Sequence, residues 1–176
     1  TSATIVGSTA FVAVNTSEDD VNVGGKLVTV DIDAKSVTSE CDLGGQPDSI
    51  AKAKDGSFLV IASENERDED LNDGQLPQMP AGQIAMIDLK DGAADCASLR
   101  FADVTGLAEV GADDPEPEFV DVNGLGETVV TLQENNHLVV LDRDGKVVSH
   151  FSAGSVTLEN VDLTDERGAL NFSETQ

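Results

Sequence analysis

QPDSIAKAKDGSFLVIASENE, residues 46–66, and EPEFVDVNGLGETVVTLQENN, residues 116–136, align without a gap at an offset of 70. Identities fall at Pro47/Pro117, Gly56/Gly126, Val60/Val130, Glu64/Glu134 and Asn65/Asn135. A second element recurs three times: LVTVDID from Leu27, IAMIDL from Ile84 and LVVLDRD from Leu138. Its aspartates are Asp31, Asp88 and Asp142. Self-similarity at a spacing of about 50–60 residues indicates stacked supersecondary units.

Each unit reads as four short strands, A to D, with alternating apolar positions. The second unit places them at about 48–53, 57–63, 83–89 and 97–103, and the third at about 118–123, 127–133, 138–142 and 146–152. Lys54-Asp55-Gly56 and Arg143-Asp144-Gly145 suit hairpin turns, because glycine tolerates positive φ. The first unit has Thr4–Val6, Phe11–Val14, Leu27–Ile32 and Val37–Leu43. Antiparallel four-stranded units of this kind predict an all-β fold, a β-propeller portion of about three blades. The boundaries are 1–45 (a blade with a partial strand A), 46–104 (a blade with a long acidic B–C loop), 105–154 (a linker loop and a blade) and 155–176. The last begins a further blade at Leu158–Val161. A propeller closes with 4–8 blades, so the ring is expected to need more, as a second polypeptide or a continuation of the chain. An autonomous three-sheet prism or sandwich is the alternative.

Composition supports this class. Of 176 residues, 48 are Val, Ile, Leu or Phe, which is too many for a disordered chain. Lys+Arg number 10 against Asp+Glu 34, a net charge of −24, which argues against nucleic acid as a partner. No apolar stretch reaches membrane-span length. The start at Thr1 reads as that of a processed or cut chain. Cys41 and Cys96 lack metal-site neighbours. A disulfide is the leading reading, closing a loop of about 56 residues worth roughly 4 kcal/mol and implying an exported, secreted or cell-surface protein. Two buried free thiols are the alternative.

Chemistry is expected at one end of the blades. The B–C and D–A connections share a rim, and strand A is innermost. Asp48, Glu118 and Glu159 open successive A strands; Glu64 with Asn65, and Glu134 with Asn135, close B strands. Converging carboxylates repel unless protonated or neutralised by a cation, and oxygen donors suit Ca²⁺ or Mg²⁺. Glu64, Glu118 and Glu134 are candidate general bases. A second candidate calcium site is the loop of Asp68, Asp70, Asn72 and Asp73; its glycine falls one place late and Met79 stands at the twelfth position, so it is no EF-hand. A solvated acidic turn is equally compatible. Gln75–Pro80 reads as a lid or a flank against a neighbouring blade. His137 lies beside the rim, His150 reads as structural within strand D, and Phe58, Phe119 and Phe151 read as blade-packing residues. The three repeated aspartates are expected to bind turn amides.

GGQPDSIA, IASENERDEDLNDGQLPQMPAGQIAMIDL, DPEPEFVDVN, VVTLQENNHLVVLD and HFSAGSVTLENVDL resemble secreted bacterial phytase-like β-propeller proteins, often labelled "esterase-like activity of phytase" or alkaline-phosphatase-like. The resemblance runs along nearly the whole chain and implies a longer polypeptide, continuing past Gln176. It implies a metal-dependent phosphoester hydrolase acting on a small phosphorylated ligand. Scarcity of basic residues, with only Arg67 and Lys52 near the inferred site, favours a second function: a non-catalytic, calcium-stabilised extracellular binding propeller.

Overall fold

A computed structural model describes residues 1–68, 70–162 and 174–175. Strands β1 (Ser2–Val6), β2 (Thr9–Asn15), β3 (Gly25–Asp31) and β4 (Ser36–Asp42) form one antiparallel meander. The second sheet has β5 (Pro47–Lys52), β6 (Phe58–Ser63), β7 (Gln83–Lys90), a two-residue β8 (Ala93–Ala94) and β9 (Arg100–Ala102), the last two both pairing with β7. The third has β10 (Pro117–Val122), β11 (Thr128–Leu132), β12 (His137–Leu141) and β13 (Val147–Ser152). These are three blades of a β-propeller. β5 packs against β1 and β10, so the first strand of each blade lies innermost.

The middle blade explains its own sequence. β6 is buried at every position because both faces are covered. Leu59 and Ile61, with Ala85 and Ile87 of β7, pack on Phe11, Ala13 and Leu27 of the first blade. Phe58 and Val60, with Ile84 and Met86, pack on Val130, Leu132, Val139 and Leu141 of the third. Each such large side chain contributes roughly 1.5–3 kcal/mol on burial. Phe58 thus packs between blades as expected. Phe119 and Phe151 do not: they are 59% and 51% exposed.

The fourth strand of the second blade departs from the expected continuous 97–103. A short 3-10 turn, Cys96–Ser98, interrupts it, with the Asp95 carboxylate accepting from the Ala97 N–H. This detour delivers Cys96 to Cys41 on β4, and the two form a disulfide with Cα atoms 5.4 Å apart. The free-thiol alternative is thereby excluded. β14 (Glu159–Val161) pairs with β15 (Glu174–Thr175); the intervening residues 163–173 lie outside the described part. Among the described residues, no helix is long and apolar enough to cross a membrane.

Candidate functional site

The rim is built by a device repeated in the second and third blades. Asn65 Oδ1 accepts from the Gln46 N–H at 2.8 Å, and Asn135 Oδ1 from the Glu116 N–H at 2.9 Å. The Asn65 amide donates to the carbonyls of Pro80 and Ala81, and that of Asn135 to Val110, Gly111 and Asp114. Both side chains are buried. Their amide oxygens are therefore engaged inside the protein, tying loops to the start of the innermost strand.

That strand then bulges at the same place in both blades. Pro47 pairs with Ser63 and Ser49 with Ala62, leaving Asp48 as the extra residue. Pro117 pairs with Leu132 and Phe119 with Thr131, leaving Glu118. A bulge re-aims the side chain it carries. The outcome is an acid cluster contributed by two blades, with a cavity of about 100 Å³ lined by Glu64, Glu66, Arg67, Glu116 and Glu134. Burial and the charges of Asp48, Glu118, Glu116 and Glu66 push the Glu64 carboxyl up to about 7. Glu116 is likewise pushed up to about 7, chiefly by burial; Arg67 opposes the rise, and Asp114, Glu134 and Glu66 add to it. Glu118 is raised by burial, Asp48 and Glu134.

Of the residues singled out in the sequence, Asp48, Glu64, Glu118 and Glu134 are thus brought together. Glu159 is not among the charges acting on Glu64, Glu116 or Glu118; it lies exposed on the separate β14–β15 pair. Asp70, Asn72 and Asp73 are exposed and Asp68 is half-buried, and the Asp68 carboxylate accepts from the Asp70 N–H. Gln75–Pro80 is a flank: the Gln78 N–H donates to the Asp114 carboxylate at 2.7 Å, and the Gln78 side chain holds both backbone groups of Asp68. Among the described residues, no three acids, histidines or cysteines stand close enough together, as placed, to grip one ion.

Two acids escaped the sequence reading, Glu66 and Glu116. Glu116 is 3% exposed, and its Oε1 is buried without a hydrogen-bond partner. Its signal was present, since it precedes Pro117 as Gln46 precedes Pro47 at the head of the repeat. Of the repeated aspartates, Asp31 accepts from the Ala34 N–H and Asp142 from those of Asp144 and Lys146, whereas Asp88 pairs with Arg100 at 3.2 Å.

No curated protein sequence matches this chain. Solved structures do. Hydrazine synthase of Kuenenia stuttgartiensis has a TM-score of 0.57 and 12% identity over 81% of this chain and 39% of its own. A luciferin-regenerating enzyme has a TM-score of 0.55 and 10% identity over 82% and 43%. The β-propeller domain of the Trilobed protease from Pyrococcus furiosus, described as having an open velcro topology, has a TM-score of 0.50 and 9% identity over 90% and 43%. At these identities the likeness shows the fold alone, and the chain spans about two-fifths of the length of these structures. The model of the choice-of-anchor I domain matches residues 1–176, and the chain belongs to that family.

Proposed function

We propose that the chain is part of an extracytoplasmic β-propeller whose acid pocket holds a hard divalent cation, Ca²⁺ or Mg²⁺, and presents it to a ligand. The observation that carries this reading is Glu116, a nearly fully buried glutamate that lines a cavity of other acids and has one carboxylate oxygen, Oε1, buried without a hydrogen-bond partner. A buried charge without a partner is costly, and a cation supplies what the protein does not. Carboxylate oxygens select hard ions. The spread of the acids favours an ion bound through one or two carboxylates and completed by water, the habit of Mg²⁺. The Cys41–Cys96 disulfide supports an oxidising compartment, secreted or at the cell surface. Further blades, from the same or another polypeptide, complete the ring.

One observation favours a second reading, phosphoester hydrolysis. Glu64 and Glu116 are held at about 7, where a carboxylate exchanges protons at neutral pH. In that reading the cation binds the phosphate oxygens, and Glu64, Glu118 or Glu134 takes the proton of the attacking water. The single guanidinium in the pocket, Arg67, leaves most of the phosphate charge to the ion.

Calorimetric titration with Ca²⁺ and Mg²⁺ tests the first reading. Saturable binding is expected, weakened roughly tenfold or more in Glu116→Gln. Absence of binding in the unaltered protein, or equal binding in the variant, overturns it. Turnover of a simple phosphomonoester, abolished by chelation and restored by the ion, decides for hydrolysis; binding without turnover decides for the non-catalytic propeller.

A further inference from the structure

His137, the first residue of β12, and His150, within β13, meet across the strand pair, and neither lines the acid pocket. His137 Nε2 and His150 Nδ1 are 3.0 Å apart, with ring centroids at 5.2 Å and planes inclined by 37°. The register accounts for this, since His150 pairs with Val139 and His137 with Ser152, making the two histidines diagonal neighbours on one face. His137 is 6% exposed and its Nδ1 is buried without a partner, whereas His150 is open to solvent. One ring is therefore fixed by packing and the other is accessible.

We propose that this pair is a binding site for a divalent transition metal of the copper or nickel type, distinct in place and chemistry from the acid pocket. Imidazole nitrogens are borderline ligands that select such ions over Ca²⁺ and Mg²⁺. The spacing also chooses among them. With metal–nitrogen bonds of about 2.0–2.1 Å, nitrogens at this separation subtend roughly 90–100° at the ion. That is the cis angle of square-planar and octahedral complexes, preferred by Cu²⁺ and Ni²⁺, and it is narrower than the tetrahedral angle of Zn²⁺. Copper, at the head of the Irving–Williams order, is the strongest expected occupant.

The charged and titratable neighbours suit the role. Burial and the adjoining His150 push the His137 pKa down, and the charge of Glu109 acts in the opposite sense. In the metal-bound form each ring is neutral, with its second nitrogen protonated. The His137 proton then resides on Nδ1, which is buried without a hydrogen-bond partner, while Glu109 is exposed and acts on the ring through its charge. Water fills the remaining coordination positions on the open His150 side.

The test is Cu²⁺ titration of the intact chain in excess Ca²⁺, read by calorimetry and by electron paramagnetic resonance. One equivalent with hyperfine coupling to two imidazole nitrogens is expected. His150→Ala, an exposed change that spares the core, abolishes the two-nitrogen signal. A spectrum with one nitrogen or none, or a two-nitrogen spectrum that survives His150→Ala, overturns the proposal. Neither result bears on Ca²⁺ binding through Glu116.

Discussion

Gly25 and Gly82 occupy the same position in successive blades, at or just before the third strand. A Cβ at Gly25 would stand 2.5 Å from Pro47 Cδ and closer still to the Gly45 carbonyl. At Gly82 it would stand 2.5 Å from Pro117 Cδ and 2.6 Å from the Pro115 carbonyl, with the Glu64 carbonyl nearer again. Each glycine is a socket for the proline that opens the next blade. Backbone cannot yield as a flexible side chain does. Gly82→Ala is therefore expected to cost about 1–3 kcal/mol or more, measured as a lowered urea midpoint, with Gly124→Ala, where a Cβ meets open space and φ is not positive, as the control. Equal losses in the two variants would show that contact with Pro117 is not the cause. Pro47 and Pro117 were legible as identities, but nothing local marked Gly25 and Gly82 as their partners, because the contact joins different blades. Other identities misled. Glu64 N–H donates to the Gln46 carbonyl, and in the third blade the equivalent bond to Glu116 comes from Gln133, not Glu134. The first hairpin closes from Ala53 to Phe58 in one blade and from Asn123 to Glu127 in the other. One residue lost in the turn is regained as Glu134 at the strand end, so Ile61, not Val60, matches Val130. The acid rim was foreseen through a pairing that is one residue out of step.

Strands were the most legible elements. Alternation located the strands of the first and third blades to within a few residues, because one face of each is buried and the other is not. β6 and β7 lack that alternation and still form strands, since blades cover both faces. The failure lay in β9, where the apolar run from Ala97 conceals a turn set by Asp95 and by the reach of Cys96. The disulfide joins the outermost strand of the first blade to that turn, stapling two blades far from the axis. Replacing Cys41 and Cys96 together by serine is expected to destabilise the chain by about 2–4 kcal/mol, seen as a lower midpoint in urea at unchanged slope. An unchanged midpoint would mean that the blade cores alone hold the seam.

At the scale of the molecule, the net charge of −24 is unevenly used. Part of it is concentrated where Asp48, Glu64, Glu116, Glu118 and Glu134 converge, at the expense of stability. Glu64 and Glu116 have folded values of about 7 against 4.5 for an ordinary glutamate. Below the lower value both folded and unfolded chains are protonated, and no cost arises. Between the two the folded chain binds more protons, so stability falls as pH rises, and above about 7 the cost is complete. Unfolding of chelated protein should therefore occur at lower urea near pH 8 than near pH 5, and added Ca²⁺ should restore stability at the higher pH only. A midpoint that rises with pH, or Ca²⁺ stabilisation that is equal at both, would contradict this account. The charge excess was visible at once, but its gathering across two blades depends on bulges at Asp48 and Glu118 that no single-residue preference announces.

The glycine sockets also bear on how such a chain grows over generations. The middle blade carries both halves of the joint, with Pro47 to fit the blade before it and Gly82 to receive the blade after it. A duplicated gene segment encoding that blade would bring its own complementary ends, and could be inserted at an existing seam without changes elsewhere. In the third blade the corresponding place is held by Asn136 with φ of 50°. There the joint is of another kind, and a copied middle blade would not find its socket.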